Sequence, residues 1–170
     1  MYGSIIMLRD KSLIPLSHQH QRALALCVRI DRAQPIPTKD VQAWQVEIAQ
    51  LFEQEIEIHF AAEESVIFPA AVRFSDLVPL VRELIVEHGS MRELFRQAEA
   101  RCMSVQTLPV LGQQLSAHIR KEERQLFERM QQLMNDQELA ALGMQLETAL
   151  KNSPQSCVLQ NEVTKLKPAR

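Results

Sequence analysis

Two segments of this 170-residue chain repeat one pattern of reactive side chains. His59-Phe-Ala-Ala-Glu63-Glu64-Ser-Val-Ile-Phe68 and His118-Ile-Arg-Lys-Glu122-Glu123-Arg-Gln-Leu-Phe127 share HxxxEExx[Ile/Leu]Phe, the mark of an internal repeat of helix pairs. A histidine and a glutamate four residues apart lie on one face of a helix, so each segment presents an imidazole and a carboxylate together. His20 and His88 add an imidazole each from elsewhere in the chain. Carboxylates buried in an apolar core without partners cost several kcal/mol or become protonated, and no Lys or Arg shares their face. A bound cation removes the conflict. Four imidazoles and two carboxylates without a thiolate suit iron, manganese or zinc, and paired carboxylate-bridged metals in helical bundles favour iron. In the simplest symmetric arrangement His20 and His59 bind one ion, His88 and His118 bind the other, and Glu63 and Glu122 bridge them. A hydroxide or oxide completes the bridge, and each ion keeps an open position for an exogenous ligand. Without the cation, the two like charges in an apolar setting are expected to raise at least one carboxyl pKa.

Four helices are needed to bring these groups together. Only four glycines occur, and Ala, Leu, Gln, Glu and Arg are abundant, which favours helix almost throughout. Pro15 and Ser17 open a first helix that runs to about Ala33, where Pro35-Ile36-Pro37 breaks it. Thr38 caps a second helix that runs to about Phe68 and stops at Pro69. A third runs from Ser75-Asp76 to about Met103 with Pro79 in its first turn, and a fourth from about Leu108 to Met134. At about 100° per residue, His20 shares a stripe with Leu13, Leu16, Leu24 and Cys27, whereas His18 lies about 160° away. His59 and Glu63 share theirs with Ile48, Leu51, Phe52, Ile56, Ala62 and Val66. His88 lies among Leu77, Val81, Leu84, Met91 and Phe95, and His118 and Glu122 among Leu111, Leu115, Leu126 and Met130. Each helix therefore turns one histidine inward. The expected fold is all-α, an up-down-up-down four-helix bundle over residues 1–151 with its metal-binding core at about 13–134. A short fifth helix, about Asp136 to Lys151, and a flexible tail, 152–170, complete it.

Composition excludes several other classes. A net charge of -2 with interspersed acidic and basic residues leaves no basic stripe for nucleic acid. No apolar run reaches the length of a membrane span, and no secretory leader is evident, so the expected location is cytoplasmic. Cys27, Cys102 and Cys157 are scattered and form no CxxC, so neither a disulfide framework nor a zinc knuckle is expected.

Leu16-Ser-His-Gln-His20-Gln-Arg-Ala-Leu24, His59-Phe-Ala-Ala-Glu63-Glu64, Glu87-His88 and His118-Ile-Arg-Lys-Glu122-Glu123 resemble the four ligand-bearing motifs of the hemerythrin-like, HHE cation-binding family, in its order. The resemblance covers about Leu16 to Met130. It implies a di-iron site (Fe2+/Fe3+) with ligands at His20, His59, Glu63, His88, His118 and Glu122, manganese or zinc being possible substitutes. It also implies a small diatomic ligand, O2 or NO, or peroxide as the partner. Oxygen-carrying members place an HxxxH pair on the third helix, but here Leu84 and Arg92 flank His88 at four residues either side. The missing fifth histidine turns the expectation from oxygen storage toward sensing or handling O2, NO or peroxide. A di-iron oxidase or peroxidase, and an iron donor in repair or storage, are the alternatives. Glu55 and Gln114, four residues before ligand histidines, are candidate acceptors for their rings. Glu64 and Glu123 are expected to be salt-bridge partners, Cys27 to be a packing residue, and Met91, Met130 and Met134 to fill the core.

Overall fold

A computed structural model describes residues 8–151 and 161–168, whose regular elements are all helices, with no strand among them. The first helix, α1, spans Ile14–Arg32 with Pro15 in its first turn, where a missing backbone donor costs nothing. After a cis Gln34–Pro35 peptide the chain enters a second rod over 41–71. That rod is built from α2 (Val41–Leu51), a π-helical turn (Phe52–Ile56), α3 (Glu57–Ala62), a second π turn (Glu63–Ile67) and α4 (Phe68–Ala71). The third rod is α5 (Val78–Glu99), and the fourth joins α6 (Thr107–Lys121), a π turn (Glu122–Phe127) and α7 (Glu128–Leu133). Helix α8 (Asp136–Leu150) follows, its start fixed by a reciprocal capping box between Asn135 and Glu138.

Three boundaries depart from the sequence expectation. Thr38 opens a short 3-10 turn (Thr38–Asp40) and makes no capping bond through its side chain. Pro69 does not stop the second rod. The π turn ahead of it shifts the hydrogen-bond register, so Pro69 falls in the first turn of α4, where no backbone donor is required. The third rod ends at Glu99 rather than Met103 because Arg101 takes a left-handed conformation, φ 57°. The amides of Arg101 and Cys102 then close back on the carbonyls of Ala98 and Gln97, at 3.1 and 3.0 Å.

The interior divides into two apolar clusters. One gathers Leu26, Trp44, Phe52, Phe95 and Leu111, and the other Leu16, Phe68, Leu84, Phe127 and Met130. His20, His59, Glu63, His88, His118 and Glu122 are all buried between them. Helix α8 lies against α3 and the π turn that follows it, burying Leu139, Leu142 and Leu146. Its approach to the N-terminal segment is close: a Cβ at Gly143 would stand 2.9 Å from the Cβ of Ser12.

Part of the expected flexible tail, 152–160, lies outside the described residues. The part that follows, 161–168, is anchored instead of free. Thr164 is buried, and its carbonyl accepts from Nη1 of Arg29 at 2.8 Å. Arg29 is itself buried, paired with Glu47 and set against the Trp44 ring, so the segment supplies a second acceptor to a buried guanidinium. No helix among the described residues is long and apolar enough to cross a membrane.

Candidate metal centre

Each buried histidine sits where an inward helical stripe crosses the middle of the bundle, and all four turn Nε2 toward the centre. The Nε2 atoms of His20 and His59 are 2.9 Å apart, and those of His88 and His118 are 3.0 Å apart. The two glutamates stand between these pairs. Glu63 places Oε1 3.1 Å from Nε2 of His59 and Oε2 3.4 Å from Nε2 of His88. Glu122 does the reciprocal, with Oε1 3.1 Å from His118 and Oε2 3.2 Å from His20. Each carboxylate thus reaches both histidine pairs. The result is two four-residue groups, His20–His59–Glu63–Glu122 and His88–His118–Glu63–Glu122, in which the candidate ligand atoms lie within 4.8 Å of one another. His18, two residues from His20, is exposed and takes no part.

Two of the three π turns among the described residues accompany the carboxylates. Glu63 and Glu122 are each the first residue of one, so the duplicated motif carries a duplicated distortion. Widening the helix at that point frees the backbone from strict i→i-4 bonding, a feature common where a helix builds a site.

The outward-facing Nδ1 atoms have partners that the sequence reading missed. His20 donates from Nδ1 to Glu123 at 2.7 Å, His88 to Glu64 at 2.8 Å, His118 to Glu87 at 2.8 Å and His59 to the side-chain oxygen of Gln19 at 2.8 Å. Glu55 and Gln114, candidates for this role, do not fill it. Glu55 pairs with Arg22, and Gln114 meets Ser90 at 3.5 Å. Glu64 and Glu123 do form salt bridges, with Arg92 and Arg9 at 2.7 Å, while also holding a histidine. A signal for all four existed: each is the immediate chain neighbour of a candidate ligand, Gln19 of His20, Glu64 of Glu63, Glu87 of His88 and Glu123 of Glu122.

A carboxylate or amide oxygen can only accept, so each Nδ1 carries a proton, and a ring in its neutral form then offers a lone pair at Nε2. Lone pairs about 3 Å apart repel unless a proton or a metal ion lies between them. All four oxygens of Glu63 and Glu122 are buried with no hydrogen-bond partner. Such orphaned acceptors are costly in a core, and a cation is what this donor set fits.

Without a cation the charge conflict resolves through the imidazoles. Burial pushes the His20 ring down, but Glu122 and Glu123 more than offset it and its pKa is raised to about 9. His118 likewise loses to burial and gains more from Glu122 and Glu87, reaching about 10. Burial pushes Glu63 up, yet the attraction of His59 and His88 holds its carboxyl well below the usual range. Glu122 is pushed up by burial and by Glu63, and His118 and His20 bring it below the usual range. The expected rise of a carboxyl pKa therefore does not occur. At Glu122 the attraction of His118 and His20 outweighs the combined effect of burial and the Glu63 charge.

An all-helical bundle with a buried cluster of histidine and glutamate defines a cation-binding helical protein. The sequence pattern of the hemerythrin HHE cation-binding domain matches residues 15–159, and the chain belongs to that family. Comparison with curated proteins and with solved structures finds no match.

Cys27 is buried among apolar side chains, and burial pushes its thiol up to about 12, in keeping with a packing role. Cys102 is exposed, and Cys157 lies outside the described residues. Met91, Met130 and Met134 are in the core.

Proposed function

We propose that this chain is a non-heme di-iron protein that senses or handles O2, nitric oxide or peroxide. His20 and His59 hold one ion, His88 and His118 hold the other, and Glu63 and Glu122 reach both. The observation that carries the reading is the set of four buried, unpartnered carboxylate oxygens facing four inward Nε2 atoms. When bound, the iron pair supplies one-electron redox chemistry and open positions for a small ligand. The chain's own residues fix the geometry: the Nδ1 bonds lock each ring's tautomer and aim, and the two apolar clusters keep bulk water out.

The four ligand-bearing rods form an up-down-up-down bundle, with α8 packed outside. Supporting this, α1 and α5 meet the Leu16–Leu84 cluster before their histidine, whereas the second and fourth rods meet the other cluster first. Beside the centre lies a cavity of about 10 Å³ lined by Ala23, Ile56, Phe60, Leu115 and Ile119 together with His20, His59 and His118. That is the space of about one water molecule. So small a space disfavours an oxidase acting on a larger organic substrate.

Anaerobic purification, metal analysis and optical titration with O2, NO and hydrogen peroxide test the proposal. Two irons per chain and a stoichiometric spectral change with one of these ligands are the expected results. Catalytic loss of peroxide moves the reading to an enzyme, and transfer of iron to an acceptor moves it to an iron donor. One tightly bound ion, or zinc alone after iron-replete expression, overturns it.

A further inference from the structure

The four rings are not held alike. Three donate to carboxylates that are themselves held in place: Glu123 by Arg9 and Ser17, Glu64 by Arg92, and Glu87 by Lys121. The fourth, His59, donates to the neutral amide oxygen of Gln19. A carboxylate acceptor draws the Nδ1 proton more strongly than an amide and makes the opposite nitrogen a better donor to a metal. The His88/His118 position therefore has two carboxylate-supported imidazoles, and the His20/His59 position has one.

Packing sets His88 apart from the other three rings. The ring of His88 stacks on Phe60 at 3.8 Å between centroids and is closed off on another side by Phe68 at 5.4 Å. His88 is fully buried and has no part in the small cavity beside the centre. That cavity is lined instead by Gln19, His20 and His59, along with His118 from the other pair. His20, His59 and His118 all retain slight exposure, His59 the most.

We infer that the two metal positions are unequal, the His20/His59 position being the weaker and exchangeable one, and that Gln19 is the positioning residue that sets this difference. The inference rests on the two-metal reading above. A centre so built fills its His88/His118 position first and gains or loses the second ion at higher free-metal concentration. It then passes between one-metal and two-metal forms as metal supply changes.

The test is anaerobic calorimetric titration of the full-length metal-free chain with Co2+, followed in parallel by the visible absorption of bound cobalt. Wild type is expected to take two equivalents in two resolved steps. His59→Ala removes the weaker step and keeps the stronger, and His118→Ala does the reverse. Gln19→Glu gives His59 the carboxylate that the other rings have, and tightens the weaker step about 10-fold while leaving the stronger one unchanged. Glu87→Gln, a milder change at the other position, weakens the stronger step about 10-fold and keeps the comparison available should Gln19→Glu fail to fold. Two equal steps in wild type, or a Gln19→Glu protein whose weaker step does not tighten, overturn the inference and leave the two-metal reading standing. A single equivalent of cobalt overturns both.

Discussion

The side-chain oxygen of Gln19 lies 2.8 Å from Nδ1 of His59, although Gln19 stands beside His20 in the chain. The same displacement runs around the bundle. Glu64, from the second rod, holds His88 of the third; Glu87, from the third, holds His118 of the fourth; Glu123, from the fourth, returns to His20 of the first. Each rod aims its own histidine inward and, from the position beside one of its candidate ligands, steadies the histidine of the next. The ring couples the aim of every imidazole to the packing of two helices, so shifting one rod disturbs two of the candidate ligands.

Facing decides which histidine of α1 matters. His20→Ala is expected to lower bound metal measured by mass spectrometry of the purified protein, whereas His18→Ala, at an exposed position, leaves it unchanged. Equal loss in both variants contradicts the assigned role of His20.

Apo stability should fall with rising pH. His20 and His118 have folded-state values of about 9 and about 10, above the ordinary 6.5, so the folded state binds protons more tightly than the unfolded one. Their stabilising contribution is complete below pH 6.5 and is lost as pH rises through 9 to 10. Thermal melts of metal-free protein across this window should show a falling Tm. Metal requires neutral rings, so its affinity should rise over the same window, with protons released on binding. A flat apo profile contradicts both statements.

Replacing Glu63 and Glu122 together by Gln removes the carboxylates that both the metal and the imidazoliums use. Metal binding should be lost, along with the rise in Tm that metal brings to wild type. The decline of apo Tm between pH 6.5 and 10 should also shrink. Leu84→Ala serves as the control, costing about 2–5 kcal/mol through a cavity with or without metal. Chemical denaturation of the loaded and metal-free variants separates the two effects. A metal-dependent Tm in the double variant contradicts the assigned ligands.

Two glycines on helix faces should respond in opposite directions. At Gly112 an added Cβ meets Ile30 at 3.5 Å, an ordinary contact, so Gly112→Ala should gain about 0.5–1 kcal/mol from helix propensity. At Gly143 the added atom falls 2.9 Å from the Cβ and 3.2 Å from the Cα of Ser12, so α8 must shift. Gly143→Ala should cost about 1–3 kcal/mol by urea denaturation.

Thiol reactivity should follow burial. Cys102 should be alkylated by iodoacetamide in the native protein, and Cys27, with its thiol pushed up to about 12, only after unfolding. Peptide mapping by mass spectrometry reads the difference, and native labelling of Cys27 contradicts the packing described.

The helical class, the inward stripes and the six convergent residues are legible in the sequence because they follow from a local rule. A side chain's direction along a helix depends on its position in a repeat of 3.6 residues, and a histidine that falls on an apolar stripe must enter the core wherever that helix is packed. The choice of His20 over His18 needs nothing more. The tertiary structure alone decided what lies across the gaps between rods. Gln19 serves His59, and Glu55 turns to Arg22, because a side chain off the inward stripe meets whichever helix stands beside it. Thr164 is drawn onto Arg29 for the same kind of reason. These outcomes depend on contacts between residues 33 to 135 positions apart, and no local period carries information over such distances.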